Sequence, residues 1–343
     1  LPVPSRTLVY GAGAIGGYLG GTLLAAGLDV TLLGRESVGA AYRRDGLKLT
    51  DYQGRVTRLD GAQIPFLSSL EELEEIPKVV LLTVKCTAVE EAIKELSRLV
   101  TESTLVVCCQ NGIGTDALVA RSLKAKTVAA IVGFNVIWLD GPRLHRGTDG
   151  ALLLQPHPAL APLLSAWQSM GLPVETRTDF TEVSWGKLLL NLNNAINALA
   201  GVPLLQELSD RDYRRVLSAC MRELLAALKR TGIKPAKLTK VPPFLVPWLL
   251  RLPDWLFKLV AGQMLRIDPL ARSSMADDLE KGRPTEIEFL NQAVVELARG
   301  CGLGAPANEQ IVSLVREAER NKKGSPNMSS SAMLSRILGQ ISR

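Results

Sequence analysis

Residues 7–10, Thr-Leu-Val-Tyr, run directly into Gly11-Ala12-Gly13-Ala14-Ile15-Gly16, after which a helical spacing of apolar residues continues to about 27. Glycines at 11, 13 and 16, set between a strand-like run and a helix-like one, fit a strand, a tight turn and a helix folded back on the strand. The alternation continues with DVTLL (29–33), VVLLTVK (79–85), TLVVCCQN (104–111) and TVAAIVGF (127–134), separated by helical stretches at 88–99 and 115–124. Such runs read as βαβ units around a buried parallel sheet. Less regular strands, LKLT, ALLLQP and VETRT, and a helical stretch near 159–170 carry the pattern to residue 179. Beyond 180 strand signals stop, and apolar-periodic segments at 182–200, 210–232, 243–265, 268–281 and 286–301 read as helices. The expected fold is α/β: an N-terminal Rossmann-type doubly wound sheet over 1–179, then an all-helical domain over 180–343. Its tail from about 320 begins polar and serine-rich and reads as partly mobile.

With 343 residues and 47% apolar side chains, the chain can bury two cores. Forty basic against 34 acidic residues give +6, spread without a block of five or more like charges, which disfavours a nucleic-acid arm and suits an anionic small molecule. Cys86, Cys108, Cys109, Cys220 and Cys301 are odd in number and lack a C-x-x-C pair. They read as reduced thiols rather than disulfides or a metal site, which points to the cytoplasm. The start LPVPSR has no charged segment followed by an apolar one, so no export signal is read there. The apolar stretch 242–265 is interrupted by prolines, Arg251, Asp254 and Lys258, so no membrane span is expected. A buried or interface helix is the favoured reading, contact with a membrane surface the alternative, and a homodimer through the helical half would cover it.

The glycine motif has a chemistry. Gly11 permits the tight turn, Gly13 lets a pyrophosphate approach the backbone, and Gly16 packs helix on strand; with Ala12, Ala14 and Ile15 they form a dinucleotide cradle at a helix N-terminus. The second strand ends in Gly34 and Arg35 where an NAD enzyme carries a ribose-binding acid. A guanidinium there favours the 2′-phosphate of NADP, although Glu36, one place on, could reach the ribose instead.

His145 and His157 are the only histidines, each in a Pro/Gly-containing loop-like stretch, so a lysine is the natural proton donor. In KLLLNLNNAIN (187–197), a helix at roughly 100° per residue puts Asn191 about 40° from Lys187 and Asn194 about 20° away on the other side. An ammonium flanked by carboxamides suits a keto acid, the amine donating to the ketone oxygen. A solvated helix face is the plainer alternative. Asn111 sits at a strand's carboxyl end before Gly112, as a ligand contact or an Asn-Gly turn, and Lys85 ends another strand. Thr285 and Glu288 have capping-box spacing, which would put Glu286 in a helix's first turn.

With these residues in view, the chain resembles the ketopantoate reductase (2-dehydropantoate 2-reductase) family over nearly its whole length. GAGAIGG (11–17), TVK (83–85), QNGIG (110–114), WGKLLLN (185–191) and SSMADDLEKGRPTEIEFLN (273–291) carry the likeness. The resemblance implies NADPH-dependent reduction of 2-dehydropantoate to (R)-pantoate in pantothenate biosynthesis, with Lys187 as catalytic lysine. It implies cofactor contacts for Lys85 and Glu286, a cofactor and substrate role for Asn111, and substrate contacts for Asn191 and Ser274. Glu286 is then expected to orient the lysine or the cofactor. The chain departs from the family where a second substrate-binding asparagine is replaced by Ala195, with Asn194 beside it, and where a later asparagine falls among Val202, Pro203, Leu204 and Leu205. A paralogous reductase of another branched or aromatic 2-keto acid is therefore the alternative, and a non-catalytic NADP-sensing regulator a further one.

Overall fold

The computed structural model describes residues 6–262 and 271–339. The start LPVPS, the end of the expected helix 243–265 and the beginning of 268–281 lie outside the described residues. The chain divides into two units, Leu1–Phe180 and Thr181–Arg343.

The strands of the first unit are, in chain order, β1 (Thr7–Tyr10), β2 (Val30–Leu33), β3 (Leu47–Asp51), β4 (Val56–Leu59), β5 (Phe66–Leu67), β6 (Val79–Leu82), β7 (Leu105–Cys108), β8 (Lys126–Val132), β9 (Val136–Leu139), β10 (Arg143–Arg146), β11 (Leu152–Leu154) and β12 (Val174–Thr176). The larger sheet has the order β12-β11-β8-β7-β6-β1-β2-β5, and β3, β4, β9 and β10 form a second sheet, β4-β3-β10-β9. Helices α1 (Ala14–Ala25), α2 (Glu36–Asp45), α3 (Val89–Leu96), α4 (Thr115–Ser122) and α5 (Ala161–Ser169) surround them.

Alternation along the central strands explains the continuous apolar runs. Leu8, Tyr10, Val80, Leu82 and Val106 pack with Val89, Leu96 and Val119 of α3 and α4, while Val9, Leu32, Leu81 and Val107 face α1 and Trp167 of α5. Helix α1 lies between the two sheets. A methyl on Gly20 would come within 2.5 Å of Leu32 in the larger sheet, and one on Gly17 within 2.8 Å of Leu144 in the smaller. Glycines on two neighbouring faces of one helix thus let both sheets approach it closely.

The sheet is doubly wound as expected but not wholly parallel, since β11 runs antiparallel to β8. The reading from sequence has no helix over 36–45 and no second sheet. It also places His145 in a loop, whereas the residue lies in β10 with its Nδ1 2.8 Å from Thr50 Oγ1. His157 accepts from the Ala159 N–H, capping a short turn.

The second unit contains α6 (Phe180–Asn191), α7 (Asn193–Ala200), α8 (Leu204–Ser209), α9 (Arg211–Thr231), α10 (Val246–Leu250), α11 (Asp254–Ala261), α12 (Ser274–Glu280), α13 (Asn291–Gly300), α14 (Pro306–Asn321) and α15 (Ser330–Leu338). Asp210 caps α9 by accepting from the Asp212 N–H at 2.8 Å, and Gly232 ends it at φ 76°. This central helix is flanked by α7, α10, α13, α14 and α15. The helix expected over 182–200 is divided at Leu192, whose N–H still reaches the Leu188 carbonyl at 3.0 Å. Prolines divide the stretch after 242 into a short turn, α10 and α11. In the tail read as partly mobile from about 320, the described residues bond to the helical unit: the Met328 N–H donates to the Leu199 carbonyl at 2.9 Å and Tyr213 Oη to the Met328 carbonyl at 2.6 Å. Met333 and Ile337 of α15 are fully buried, so the amphipathic end anchors the polar stretch before it.

Candidate active site

In the sheet of the first unit, β1 is followed by β2 on one side and, after the crossover, by β6 on the other, so the order reverses between β1 and β6. Open α/β sheets take ligands at the carboxyl ends of their strands beside such a reversal. Four adjacent ends there carry Asn111 (after β7), Lys85 (after β6), Gly11 to Gly16 (after β1) and Arg35 (after β2). Their loops are stitched together. Thr83 Oγ1 donates to the Gly11 carbonyl at 2.9 Å, Cys86 Sγ to the Asn111 carbonyl at 2.8 Å, and the buried Gln110 Nε2 to the Leu82 and Val84 carbonyls at 2.7 and 3.1 Å. Lys85 and Asn111 are both exposed, and Gly112 at φ 87° turns the chain just after Asn111.

The cradle fits a dinucleotide. Gly11 has φ 111°, and a methyl on Gly16 would stand 2.2 Å from the Gly11 carbonyl oxygen, so neither position takes a side chain. At Gly13 a methyl would meet nothing within 4 Å. No side chain caps α1 and no acid lies in its first turn, which leaves a positive helix end facing open space over Gly13, the setting that a diphosphate occupies. Arg35 is exposed just before α2. Glu36 is already engaged, accepting from Ser68 Oγ and from Arg43, and these contacts, Ser68 foremost, hold its carboxyl below the usual range.

The second unit contains a desolvated lysine. Lys187 is half-buried on α6, and desolvation lowers its pKa below the ordinary lysine value. Among the described residues no acceptor pairs with its ammonium, Glu286 included. Asn191 is buried one turn on, at 9% exposure, and Asn194 is half-buried in the first turn of α7. Their carboxamides likewise make no hydrogen bond among the described residues. A partly buried ammonium and two carboxamides without partners among the described residues have hydrogen-bonding capacity to offer.

Ser274 is exposed at the first position of α12, and Ser273 before it caps the helix, its Oγ accepting from the Ala276 N–H at 3.1 Å. Ser273 also donates through Oγ to the Asn194 carbonyl at 3.0 Å and through N–H to Asn197 Oδ1 at 2.8 Å. Asn197 Nδ2 in turn donates to Glu207 Oε2 at 2.8 Å. Burial pushes the Glu207 carboxyl up to about 8, against the hydrogen bonds from Asn197 and Asn193. This chain of bonds brings Ser274 and Asn194 to one place. Neither Asn197 nor Glu207 is a candidate in the reading from sequence, although a carboxylate amid apolar neighbours in VPLLQELS signals a buried acid.

Glu286 is buried at 8% exposure just before a short turn at Ile287–Phe289. The expected capping box is not formed: Thr285 Oγ1 accepts from the Ile287 N–H at 3.3 Å, while Glu288 takes two 2.7 Å bonds from Arg316 on α14. A surface groove of about 470 Å³ beside α13 and α14, lined by Arg299, Arg316 and Arg320, contains none of these residues. All five cysteines are free, and burial raises the Cys109 thiol to about 12. Among the described residues no cluster of His, Cys, Asp and Glu could hold a metal ion, and no helix is long and apolar enough to cross a membrane.

Comparison with known proteins agrees with both halves. Residues 7–159 match the family described as ketopantoate reductase PanE/ApbA, and residues 179–319 match its C-terminal domain. A 2-dehydropantoate 2-reductase of Pyrococcus abyssi is 26% identical over 327 residues, 93% of this chain and 100% of that protein. The crystal structure of a PanE/ApbA family ketopantoate reductase from Ralstonia eutropha JMP134 superposes with a TM-score of 0.79 at 26% identity, covering 93% of this chain and 99% of that one. A D-mandelate dehydrogenase solved with NADH and anilino(oxo)acetate shares the fold, with a TM-score of 0.75 at 19% identity over 92% of this chain and 99% of that one. Matched along both of its units, the chain belongs to the ketopantoate reductase family and is a nicotinamide-dependent oxidoreductase.

Proposed function

We propose that the protein reduces 2-dehydropantoate to (R)-pantoate with NADPH, with Lys187 as the proton donor. The observation that carries this reading is the half-buried Lys187 ammonium, unpaired among the described residues, whose pKa desolvation lowers. When bound, the nicotinamide supplies the hydride that converts a ketone into an alkoxide. Lys187 holds a proton at Nζ for that oxygen, and its depressed pKa brings proton transfer toward the working pH. The free carboxamides of Asn191 and Asn194, with the Ser274 hydroxyl, bind carboxylate and hydroxyl groups without competing for the proton. Asn111, Lys85 and Glu286 serve the cofactor, Asn111 touching substrate as well, and Glu286 acts from its buried position.

The choice of NADPH rests on the end of β2. Arg35 is exposed there, and the carboxylate that could bind a ribose hydroxyl, Glu36, is held by Arg43 and Ser68. A panel of 2-keto acids assayed with NADPH and NADH in parallel tests substrate and cofactor together. Rapid NADPH-linked turnover of ketopantoate is expected; no turnover of it, with rapid turnover of a different acid, overturns the pantoate assignment.

One observation favours a second substrate. Ala195, in place of the family's asparagine, is wholly buried, so Asn194 is the carboxamide offered at this turn. The loss of one hydrogen bond to a substrate hydroxyl costs about 1–3 kcal/mol, enough to favour another branched or aromatic 2-keto acid.

A further inference from the structure

Helices in soluble domains turn one apolar face inward, but α11 is apolar on two. Phe257 and Ala261 are buried, and on the opposite side Trp255 and Leu259, one turn apart, are 70% and 75% exposed. Trp248 on α10 and Phe244 before it are exposed at 62% and 64%, and Leu245 and Val260 extend the patch. Six of the twelve exposed large hydrophobic residues among those described therefore fall within 244–260. Patches of this kind mark an interaction surface.

The patch is held rigidly. The buried Arg214 of α9 donates to the Leu250 carbonyl at 3.1 Å, to the Leu252 carbonyl at 2.8 Å and to Asp254 Oδ1 at 2.8 Å, with its guanidinium 4.1 Å from the Phe257 ring centroid. Ser218 Oγ donates to the Pro247 carbonyl at 2.8 Å. The backbone joining α10 to α11 is thus fixed to the helical core, so the helices that carry Trp248 and Trp255 need little backbone ordering on binding.

Charge identifies the occupant. Residues 229–262 contain seven Lys and Arg and a single acid, Asp254; the other residues carry 33 of each sign, so this segment holds the whole formal charge of +6. All seven cations, among them Lys237, Lys240, Arg251 and Lys258, are exposed, while Asp254 is paired with Arg214. A second copy docking by this face through a twofold axis would bring like charges together. An anionic lipid surface complements both the cations and the Trp, Phe and Leu side chains, which favour the boundary between headgroups and acyl chains. We propose that α10 and α11, with the lysines preceding them, form a docking surface for an anionic bilayer, the protein lying on the membrane without spanning it.

The test is flotation of the full chain with vesicles of phosphatidylcholine alone or mixed with phosphatidylglycerol, at low and high salt, with tryptophan emission as a second readout. Binding to the anionic vesicles only, weakened by salt and accompanied by a blue shift, is expected. Trp255→Ser combined with Leu259→Ser should lower binding by about tenfold or more while leaving the unfolding midpoint unchanged. Lys237→Glu combined with Lys258→Glu should do the same with the apolar patch intact. Failure of the unaltered chain to bind anionic vesicles at low salt, or equal binding to both vesicle types, overturns the proposal. So does a stable dimer in sedimentation that the Trp255→Ser, Leu259→Ser variant dissociates.

Discussion

The N–H of Ser273 donates to Oδ1 of Asn197 at 2.8 Å across 76 residues of sequence, which fixes the start of α12 against α7. Ser274, next in the chain, and Asn194, whose carbonyl accepts from Ser273 Oγ, take their positions from this bond. Asn197→Ala leaves the buried Ser273 N–H without its acceptor and the Glu207 carboxyl with only the 3.5 Å bond from Asn193. A loss of ~2–3 kcal/mol in chemical denaturation is expected, together with a raised KM for the keto acid, measured by steady-state kinetics.

Glu207 makes stability depend on pH. Its folded-state pKa is raised to about 8 by burial, above the ordinary glutamate value of 4.5 that it recovers on unfolding. Between those limits the native chain binds the proton more tightly than the unfolded one, so this contribution is fully present below the lower limit and is lost as pH rises to about 8. Each unit of separation corresponds to about 1.4 kcal/mol. Unfolding midpoints measured across this range should fall with rising pH, and Glu207→Gln should flatten the slope.

Lys187→Ala should reduce turnover by about a hundred- to ten-thousandfold while cofactor affinity, read by fluorescence titration, is retained. Unaltered turnover would remove Lys187 as the proton donor. Because the donor must be protonated, the rate should decline as pH rises through a lysine pKa lowered by desolvation.

The two glycines of the cradle should behave oppositely. Gly16→Ala forces a methyl to within 2.2 Å of a backbone oxygen, with an expected cost of ~1–3 kcal/mol in stability. Gly13→Ala meets nothing within 4 Å, so the unfolding midpoint should hold while dinucleotide affinity falls, seen by calorimetric titration.

Arg35→Ala should lower kcat/KM with NADPH by about ten- to hundredfold and leave NADH almost unaffected. The two cofactors compared on one keto acid provide the measurement.

The local patterns were legible where a single element decides them. Gly11, Gly13 and Gly16 after an apolar run define the strand, turn and helix because each answers a local steric demand, and Lys187 with Asn191 is set by one helical turn. The second sheet was not legible: Val56, Ile137 and Trp138 point outward from strands that are only partly covered, so they lack a clear inward and outward alternation. Nor could the sequence foresee that Glu36 would be engaged by Ser68, 32 residues away, or that Glu288 would leave its capping position for Arg316.

Amino-acid order alone sets which groups are present: a glycine turn at a helix start, a guanidinium after β2, and an ammonium among carboxamides. Only tertiary structure decided which of those groups are free to act. A hydrogen bond is satisfied by whichever partner folding brings near, so among the described residues packing left the side chains of Lys187, Asn191 and Asn194 without partners while it engaged Asn197, Glu207 and Glu36 in the scaffold.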